Sequence, residues 1–258
     1  MFRPARAPLG FPAFGGSEAT EPMRSVGETD SLNAWQAYYQ GLNDAYLFPN
    51  EYVVRTFLGR YPGLNMPQDY AGKRVCDVSC GDGRNTVLLH KLGFSLHGTE
   101  INEAVCEITR RKLLDHPQRI SADIRPGLNW DLPFEDGFFD YMLSWNAIYY
   151  MRDADGDIRG HVREHARVLR PGGHLVCSVP APGCFSLAGA DELGDDLIRL
   201  RGGPKWGMLD GTIYRRFRDF GDIEQVFGGA FTDFSRCTIR DDCYGLPLEY
   251  FVFVCRKA

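Results

Sequence analysis

The stretch that decides the fold is Val75-Cys76-Asp77-Val78-Ser79-Cys80-Gly81-Asp82-Gly83-Arg84-Asn85-Thr86. Its apolar start is typical of a buried strand, its glycines of a tight turn, and its last residues of a helix start. Asp77 stands where the strand ends, and a second acid, Glu100, ends the next strand-like run. A glycine turn followed about 20 residues later by an acid is the pattern of a nucleoside-binding βαβ unit, in which the carboxylate binds ribose hydroxyls.

Charge distinguishes between the nucleosides that such a unit binds. A dinucleotide places its pyrophosphate against the helix N-terminus, which favours anions, and Asp77 and Asp82 would repel it. Thr86 also occupies the third glycine position of the dinucleotide fingerprint. Two acids suit a ligand with positive charge near the turn. S-adenosylmethionine carries a sulfonium and an ammonium, as well as a ribose for Glu100, so we expect this cofactor, with NAD as the alternative.

The same residues resemble a known family. The segment Asp77–Gly83 resembles motif I of the class I S-adenosylmethionine-dependent methyltransferases, with Ser79 in place of the usual first glycine. The segment Asn129–Ser144 resembles the passage into the family's fourth strand, and Arg167–Val176 resembles its turn into the fifth. The N-terminal segment and the Asp-Asp-Cys-Tyr-Gly turn near the C-terminus are similar to bacterial type-11-like members.

The order of the remaining segments predicts the fold class. Strand-like runs are expected at about 74–78, 95–100, 120–125, 139–144, 174–179, 234–240 and 249–256, with helices at about 85–92, 103–115, 158–169 and 220–227. This alternation predicts an α/β fold, a Rossmann-like doubly wound sheet of about seven strands in three layers. The resemblance implies that the strands are mostly parallel and that the last one is antiparallel beside the sixth.

Three regions are predicted along the chain. Residues 1–30 are rich in Pro, Gly, Ala and Ser without periodicity, which predicts a flexible N-terminal tail. Residues 31–70 contain two helix patterns and are expected to form a lid over the cofactor. Residues 71–258 then form the methyltransferase domain, with an irregular substrate-side insertion at about 180–215.

Ligands of doubly wound sheets bind outside the carboxyl ends of the strands, which ranks the candidate site residues. We expect Asp77 to contact the turn and the methionine ammonium, Glu100 to bind the ribose, and Gly81 and Gly83 to let the backbone approach. By family analogy Ile101 packs on the adenine. The predicted cofactor-binding residues are Asp77, Ser79, Cys80, Gly81, Gly83, Glu100, Ile101, Asn129, Trp130, Ser144, Trp145, Tyr39 and Arg55.

Several of these assignments carry alternatives. The family's usual acid before the fourth strand is missing, since Leu128 stands there, and Asn129 is expected to read the adenine edge, with Asp123 as the rival. Tyr39 and Arg55 are expected to reach the methionine carboxylate from the lid, because the planar guanidinium suits a carboxylate. Simple packing is the alternative for the aromatic lid residues and for Trp145.

The acceptor side offers no obligatory base. Methyl transfer from a sulfonium depends on positioning and desolvation, and a base is needed only if the acceptor must lose a proton. Asp241 and Asp242, expected at the end of the sixth strand, are candidates to bind or deprotonate the acceptor. His161 and His165 have metal-like spacing on a helix, but we expect a peripheral, solvated face there and no metal site.

Composition sets the remaining expectations. A net charge of −5 gives no electrostatic attraction to nucleic acid or anionic membranes, and no apolar run approaches the roughly 20 residues of a membrane span. The N-terminus lacks the apolar core of a secretory signal, and the eight cysteines are expected as reduced, mostly buried thiols.

Together these features predict a cytoplasmic methyltransferase of the EC 2.1.1 class, acting on a small-molecule, saccharide or secondary-metabolite acceptor by in-line displacement. The alternatives are an NAD-type oxidoreductase and a non-catalytic module that binds S-adenosylmethionine. The oligomeric state stays open.

Overall fold

The computed structural model describes residues 35–39, 48–201 and 210–258, so the predicted tail at 1–30 lies outside the described residues. The strands are β1 Arg74–Asp77, β2 Ser95–Glu100, β3 Asp123–Pro126, β4 Phe139–Trp145, β5 Tyr150–Met151, β6 Leu169–Pro180, β7 Asp191–Gly194, β8 Leu197–Arg199, β9 Ile213–Arg215, β10 Phe231–Cys243 and β11 Leu246–Lys257. The helices are α1 Glu51–Leu58, α2 Arg84–Lys91, α3 Glu103–Asp115, α4 Ile158–Val168 and α5 Phe220–Phe227, and residues 35–39 are also helical.

Seven strands form the central sheet in the order β10-β11-β6-β4-β1-β2-β3. Strands β1, β2, β3, β4 and β6 pair in parallel, whereas β11 is antiparallel to both of its neighbours, β10 and β6. The mostly parallel, doubly wound α/β fold is therefore confirmed. The last strand, β11, is antiparallel and lies beside β10, the sixth strand of this sheet in chain order.

The sheet is covered on both faces because its parallel strands are apolar on both sides. On one face, Cys76 and Met142 pack in a core with the inner sides of α4 and α5. On the other, Val75 and Leu143 pack in a core with residues of α1, α2 and α3. Successive strand residues thus enter opposite cores, which gives the three layers.

Some element boundaries differ from the prediction. Strand β3 begins at Asp123 rather than near Ile120, since Ile120 instead pairs its N–H with Leu113 and packs at the end of α3. The expected irregular insertion contains β7, β8 and β9, which form a small four-stranded sheet with β5. Residues 202–209 of that insertion lie outside the described residues. Among the helices that the structure describes, none is long and apolar enough to cross a membrane.

Candidate functional site

The glycine turn, residues 78–83, connects β1 to α2 at the carboxyl edge of the sheet. Gly81 has φ +60°, and a Cβ added there would lie 2.7 Å from the Tyr39 hydroxyl oxygen. Gly83 has φ +83° and lies directly before α2, and a Cβ there would lie 2.9 Å from Leu113 Cδ2. Both positions therefore need glycine for conformation and for space. Ser79 adopts a left-handed φ of +53° at the family's usual first glycine.

Glu100 closes this turn from the end of β2. Its side chain is almost fully buried and accepts hydrogen bonds from the backbone N–H groups of Gly81 (2.6 Å) and Ile101 (3.0 Å). Burial raises the pKa of Glu100 to about 7, although the two backbone hydrogen bonds oppose the shift. The predicted juxtaposition of Glu100 and the turn is thus present in the structure.

Asp77 is the second buried carboxylate, at the end of β1. It accepts a hydrogen bond from the Thr86 hydroxyl (2.7 Å), which explains why a threonine stands where a dinucleotide fingerprint has glycine. Burial raises the pKa of Asp77 to about 7, the Thr86 hydrogen bond lowers it, and repulsion from Glu100 and Asp82 adds to the increase.

The three carboxylates at the turn differ in their charge partners. Asp82 forms a two-pronged ion pair with Arg84, with both nitrogen–oxygen distances 3.0 Å. Asp77 and Glu100 have no ion-pair partner within residues 35–39, 48–201 and 210–258. Two buried acids without a cation leave a region of negative potential that suits a positively charged ligand.

The described part of the predicted lid lies over the turn. Tyr39 is the residue whose hydroxyl approaches Gly81, and Trp35 stacks near it with ring centroids 5.9 Å apart. The Trp35 ring also contacts Tyr150 at 6.0 Å. Asn50, the N-cap of α1, donates its backbone N–H to Asn85 Oδ1 in the first turn of α2 (3.0 Å). Tyr39 therefore lies beside the glycine turn, and its role toward the cofactor stays a prediction.

Arg55 lies elsewhere than the lid prediction requires. Its guanidinium hydrogen-bonds to Glu51 Oε1 one helical turn earlier, and the side chain is 56% exposed. It also lies 5.7 Å from the Tyr52 ring. The reason is that α1 turns its apolar residues Val53 and Phe57 into the core, so Arg55 is directed to the opposite, solvated face.

The end of β4 contributes buried polar groups. Ser144 lies inside the sheet beside Cys177 of β6, so it is part of the core and not of an open surface. Trp145 is packed against the core that contains α1, and its buried indole N–H has no hydrogen-bond partner among the described residues. Asn146 adopts a left-handed φ of +57° and is held by Ser178 through two hydrogen bonds.

Asn129, predicted to read the adenine edge, lies in a buried position, and its role stays a prediction. Its side chain donates to the carbonyl of Ala147 (2.9 Å), and its Oδ1 has no partner in the part of the chain that the structure describes. Trp130 instead packs on His161 of α4, with ring centroids 5.3 Å apart. The rival Asp123 is partly exposed and pairs with Arg125.

The expectation of a solvated face for His161 and His165 is wrong. Both side chains are buried, and their Nδ1 atoms pair with the carbonyls of Ile148 and His161. Burial lowers the pKa of His165 to about 4, so it is neutral. Charged residues elsewhere on α4 provide its solvated face. The four-residue spacing of His161 and His165 shows that they share a face of the helix, but not whether that face is buried. In the described part of the chain, no group of three or more His, Cys, Asp and Glu residues is arranged to hold a metal.

The two candidate acceptor residues at the C-terminal hairpin are exposed. Strand β10 runs on to Cys243, so Asp241 and Asp242 lie within the strand and not beyond its end. Asp242 Oδ1 accepts the N–H of Gly245 and thereby caps the hairpin turn. Asp241 lies on the exposed edge strand, within electrostatic reach of Tyr52 on α1. Their role toward an acceptor stays a prediction.

Sequence reasoning missed a group of aromatic residues, the tyrosine cluster of Tyr149, Tyr150, Tyr214 and Tyr250. Tyr149 lies in the loop after β4, Tyr150 begins β5, and Tyr214 and Tyr250 come from β9 and β11. Their ring centroids lie 4.6 Å (Tyr150–Tyr214), 4.7 Å (Tyr149–Tyr214) and 5.0 Å (Tyr149–Tyr150) apart. The position of Tyr149-Tyr150 just beyond a strand end was the available signal.

Comparison with known proteins agrees with this arrangement. Residues 76–177 match the family described as Methyltransferase domain. The chain is 33% identical over 109 residues to methyltransferase GfsG of Streptomyces halstedii, covering 41% of this chain and 37% of that protein. It is 34% identical over 116 residues to demethylmenaquinone methyltransferase of Tropheryma whipplei, covering 45% of each. The matched segments thus span less than half the length of these relatives.

A solved structure extends the likeness to the fold of nearly the whole chain. Burkholderia thailandensis 1,6-didemethyltoxoflavin-N1-methyltransferase, solved with bound 1,6-didemethyltoxoflavin and S-adenosylhomocysteine, aligns with a TM-score of 0.59, 16% identity and 93% coverage of both chains. The glycine turn, the acid that ends β2 and the sheet order all agree with the matched family, whose cofactor is S-adenosylmethionine. The likeness to S-adenosylmethionine-dependent methyltransferases is therefore carried by residues 76–177.

Proposed function

We propose that this protein transfers a methyl group from S-adenosylmethionine to a small-molecule acceptor. The observation that carries the proposal is the pair of buried carboxylates at the glycine turn, Asp77 and Glu100, which have no cation of their own among the described residues. A ligand that brings an ammonium and a sulfonium supplies the missing positive charge, whereas a pyrophosphate would add negative charge and be repelled. This difference disfavours the NAD-dependent alternative.

The residues of the turn fit the cofactor in specific ways. Glu100 is positioned to accept hydrogen bonds from the ribose hydroxyls, because its carboxylate is already oriented by the N–H groups of Gly81 and Ile101. Asp77, oriented by Thr86, serves the methionine ammonium. Gly81 leaves room where a side chain would stand, with Tyr39 covering the turn as part of the lid. When bound, the cofactor supplies a methyl group that its sulfonium has already activated.

The acceptor side is supplied by the insertion and the lid. Tyr39 and Trp35 come from the lid, and Tyr214 comes from the small sheet. These aromatic rings lie beside one another at the carboxyl edge of the sheet, where they exclude water from a bound acceptor and position it for in-line displacement. Such an aromatic lining favours a small molecule over a polymer. The relatives named for menaquinone and toxoflavin precursors act on small molecules by their names, which supports the same class.

The cofactor assignment is tested by calorimetric titration of S-adenosylhomocysteine into wild type and Glu100→Ala. We expect micromolar binding by wild type and a loss of about tenfold or more in the variant, since a hydrogen bond to a charged group contributes about 1.5–3 kcal/mol. Glu100→Gln keeps the side-chain shape and separates lost charge from a local cavity. Glu103→Ala is the matched control, because this exposed acid is three residues away and points to solvent. Absence of binding by folded wild type would exclude the assignment.

Turnover is tested separately from binding. Isotope-labelled S-adenosylmethionine is incubated with the protein and a broad metabolite extract, and labelled products are sought by mass spectrometry. Labelled small molecules that depend on Glu100 support the proposal. Binding of the cofactor with no labelled product in any extract would favour the non-catalytic module instead. We place the protein in the cytoplasm, because all eight cysteines are free and six of them are buried.

A further inference from the structure

Asn146 directly follows β4, at the point where the order of the main sheet reverses. The sheet runs from β1 through β2 to β3 on one side, and β4 pairs with β1 on the other side. In doubly wound sheets such a switch point opens the crevice that holds the ligand. The Val78 N–H at the start of the glycine turn donates to the Leu143 carbonyl of β4 (2.8 Å), and Asn146 lies three residues beyond that contact.

The backbone of Asn146 is in the left-handed region, with φ +57°. Residues with a Cβ rarely adopt this conformation, although asparagine tolerates it better than most. Such residues persist where the surrounding structure holds them, and they are concentrated at ligand sites. In this protein the contact that holds the residue is a pair of hydrogen bonds to Ser178 of β6.

These two hydrogen bonds determine which way the Asn146 amide faces. The Asn146 backbone N–H donates to Ser178 Oγ (2.9 Å), and the Ser178 hydroxyl donates to Asn146 Oδ1 (2.8 Å). With the amide turned over, the proton of the fully buried Ser178 hydroxyl would have no acceptor among the described residues. The amide oxygen therefore faces Ser178, and the amide nitrogen faces away from it.

The amide nitrogen of Asn146 keeps two hydrogens to donate. It has no hydrogen-bond partner within residues 35–39, 48–201 and 210–258, and Asn146 is only partly buried, so a ligand can reach it. An oxygen with lone pairs accepts from this group, whereas a protonated amine has only hydrogens to offer. The neighbouring strand β1 ends at Asp77, a buried acid without a cation among the described residues, so an anionic oxygen is disfavoured.

We propose that Asn146, oriented by Ser178, binds the methyl acceptor by donating its amide hydrogens to an uncharged oxygen of that molecule, in a carbonyl or a hydroxyl group. This inference rests on the proposed methyltransferase function and specifies its substrate class: the site selects neutral molecules that carry such an oxygen over protonated amines. Asn146 forms no covalent bond with the acceptor and holds it in place for in-line displacement.

The test measures methyl transfer to the molecules of a metabolite extract. The full-length protein is incubated with methyl-labelled S-adenosylmethionine and a dilution series of the extract, and labelled products are quantified by mass spectrometry. Asn146→Asp keeps the size of the side chain, the tolerance for a left-handed φ and an acceptor for Ser178, but it replaces the amide donor by a carboxylate oxygen. We expect half-maximal labelling to require about tenfold more extract, because the acceptor oxygen loses a hydrogen bond and is repelled.

Two features of the labelling make this result specific. A variant with a damaged fold would lower the maximal rate and leave the extract concentration for half-maximal labelling unchanged. Treatment of the products with hydroxylamine separates the two kinds of oxygen, since aldehydes and ketones gain mass as oximes and hydroxyl groups do not. Labelled products that contain neither a carbonyl nor a hydroxyl oxygen would overturn the proposal.

Asn146→Gly separates acceptor binding from structure, because it relieves the left-handed φ and removes the donor. It is expected to keep or raise the urea midpoint of unfolding, to bind S-adenosylhomocysteine as wild type does, and to lose labelling as Asn146→Asp does. Arg119→Gly is the matched control. Arg119 also has a left-handed φ, +47°, but it lies in the loop before β3, at the amino edge of the sheet. This variant should label as wild type does, within about twofold.

The contrary outcomes are distinct from one another. Unchanged labelling in both Asn146 variants would overturn the proposal and leave the methyltransferase function standing. Stronger labelling in Asn146→Asp is the result expected for an amine at this position, and it would also overturn the proposal. Equal losses of labelling and of S-adenosylhomocysteine affinity in Asn146→Gly would show that Asn146 serves the cofactor instead. Wild type that labels no molecule would remove the proposed methyl transfer itself, and this inference with it.

Discussion

The cofactor side of the sheet takes its polar groups from one short turn and the next strand end, whereas the acceptor side collects them from distant segments. Asp77, Gly81 and Glu100 lie within 24 residues of sequence, where Gly81 is hydrogen-bonded to Glu100 and Asp77 to Thr86. The tyrosine cluster needs β5, β9 and β11, which are far apart in the chain. Local geometry therefore specifies the cofactor site, while the acceptor site depends on how the insertion folds onto the sheet.

A variant that destabilises the insertion alone tests whether the cofactor site forms independently of it. Arg215 and Asp222 form a buried two-pronged ion pair (2.8 and 3.2 Å) between β9 and α5, and the Arg215 backbone N–H donates to Tyr149. Arg215→Met leaves Asp222 buried with less compensation, since only Arg218 remains nearby. We expect a loss of about 3 kcal/mol in the free energy of unfolding, measured by urea denaturation.

The control for that variant is the neighbouring residue. Arg216→Met removes an ion pair with the exposed Glu192 and should cost about 0.5 kcal/mol or less. If the cofactor site is independent of the insertion, the folded fraction of Arg215→Met binds S-adenosylhomocysteine with the same affinity as wild type. An equal loss of cofactor affinity would show instead that the insertion also organises the glycine turn.

The same contrast explains what could be predicted from sequence. The strand ends at Asp77 and Glu100 could be placed because a turn that needs glycine and a buried acid leave a local pattern. Arg55 could not be placed, because a helix residue's direction depends on which face packs on the sheet. Trp130 lies in a turn, and its direction is set by its contact with His161 of α4. The same holds for the burial of His161 and His165, which follows from the contact of α4 with the loop after β4.

The insertion and the hairpin were less predictable for a different reason. Strands β7, β8 and β9 are three or four residues long, too short to show a period against their glycine-rich surroundings. Their order is set by pairing with β5, a contact distant in sequence. Asp241 and Asp242 were predicted at a strand end, but β10 continues through them to Cys243 by pairing with β11. This part of the strand is exposed on both faces, so its sequence lacks the alternation of apolar and polar residues that indicates a strand.

A variant at the turn tests the cofactor side by itself. Gly81→Ala is strained at φ +60° and puts a methyl group 2.7 Å from the Tyr39 hydroxyl, in the space over the turn. We expect the affinity for S-adenosylhomocysteine to fall about a hundredfold, or about 2.7 kcal/mol, by calorimetry. Gly93→Ala is the matched control, with φ +84° but at the far end of α2. It should lose stability but not affinity, and equal losses in both would contradict a specific role for Gly81.

Protonation of the turn gives a smaller and pH-dependent effect. Asp77 and Glu100 have pKa values near 7, above their ordinary values of about 4, so the protonated forms favour folding. The stability they contribute is complete below about pH 4 and is lost as pH rises through about 7. A cationic ligand offsets that loss. S-adenosylhomocysteine has a neutral sulfur in place of the sulfonium. We therefore expect the ratio of the S-adenosylmethionine affinity to the S-adenosylhomocysteine affinity to rise about tenfold between pH 5.5 and 8.5, measured by calorimetric titration.

Glu100→Gln serves as the control for that pH effect. It removes one of the two titrating groups and should flatten the rise. A ratio of affinities that is constant with pH in wild type would show that the buried acids do not face the sulfonium. The tyrosine cluster gives no such dependence below pH 9, because burial raises the pKa of Tyr150 to about 12.

The smallest effect concerns Ser79, the departure from the family's glycine. A serine at φ +53° is strained by about 1–2 kcal/mol relative to glycine, which has no Cβ. Part of the stability that glycine gains by relieving this strain is lost again, because glycine gives the unfolded chain more conformational freedom. Ser79→Gly is therefore expected to raise the free energy of unfolding by about 0.5–1 kcal/mol. Ser79→Ala keeps the strained Cβ and should give no gain. If Ser79→Gly is instead destabilising, the serine hydroxyl contributes more to the turn than its backbone strain removes, and the cofactor side depends on side-chain contacts as the acceptor side does.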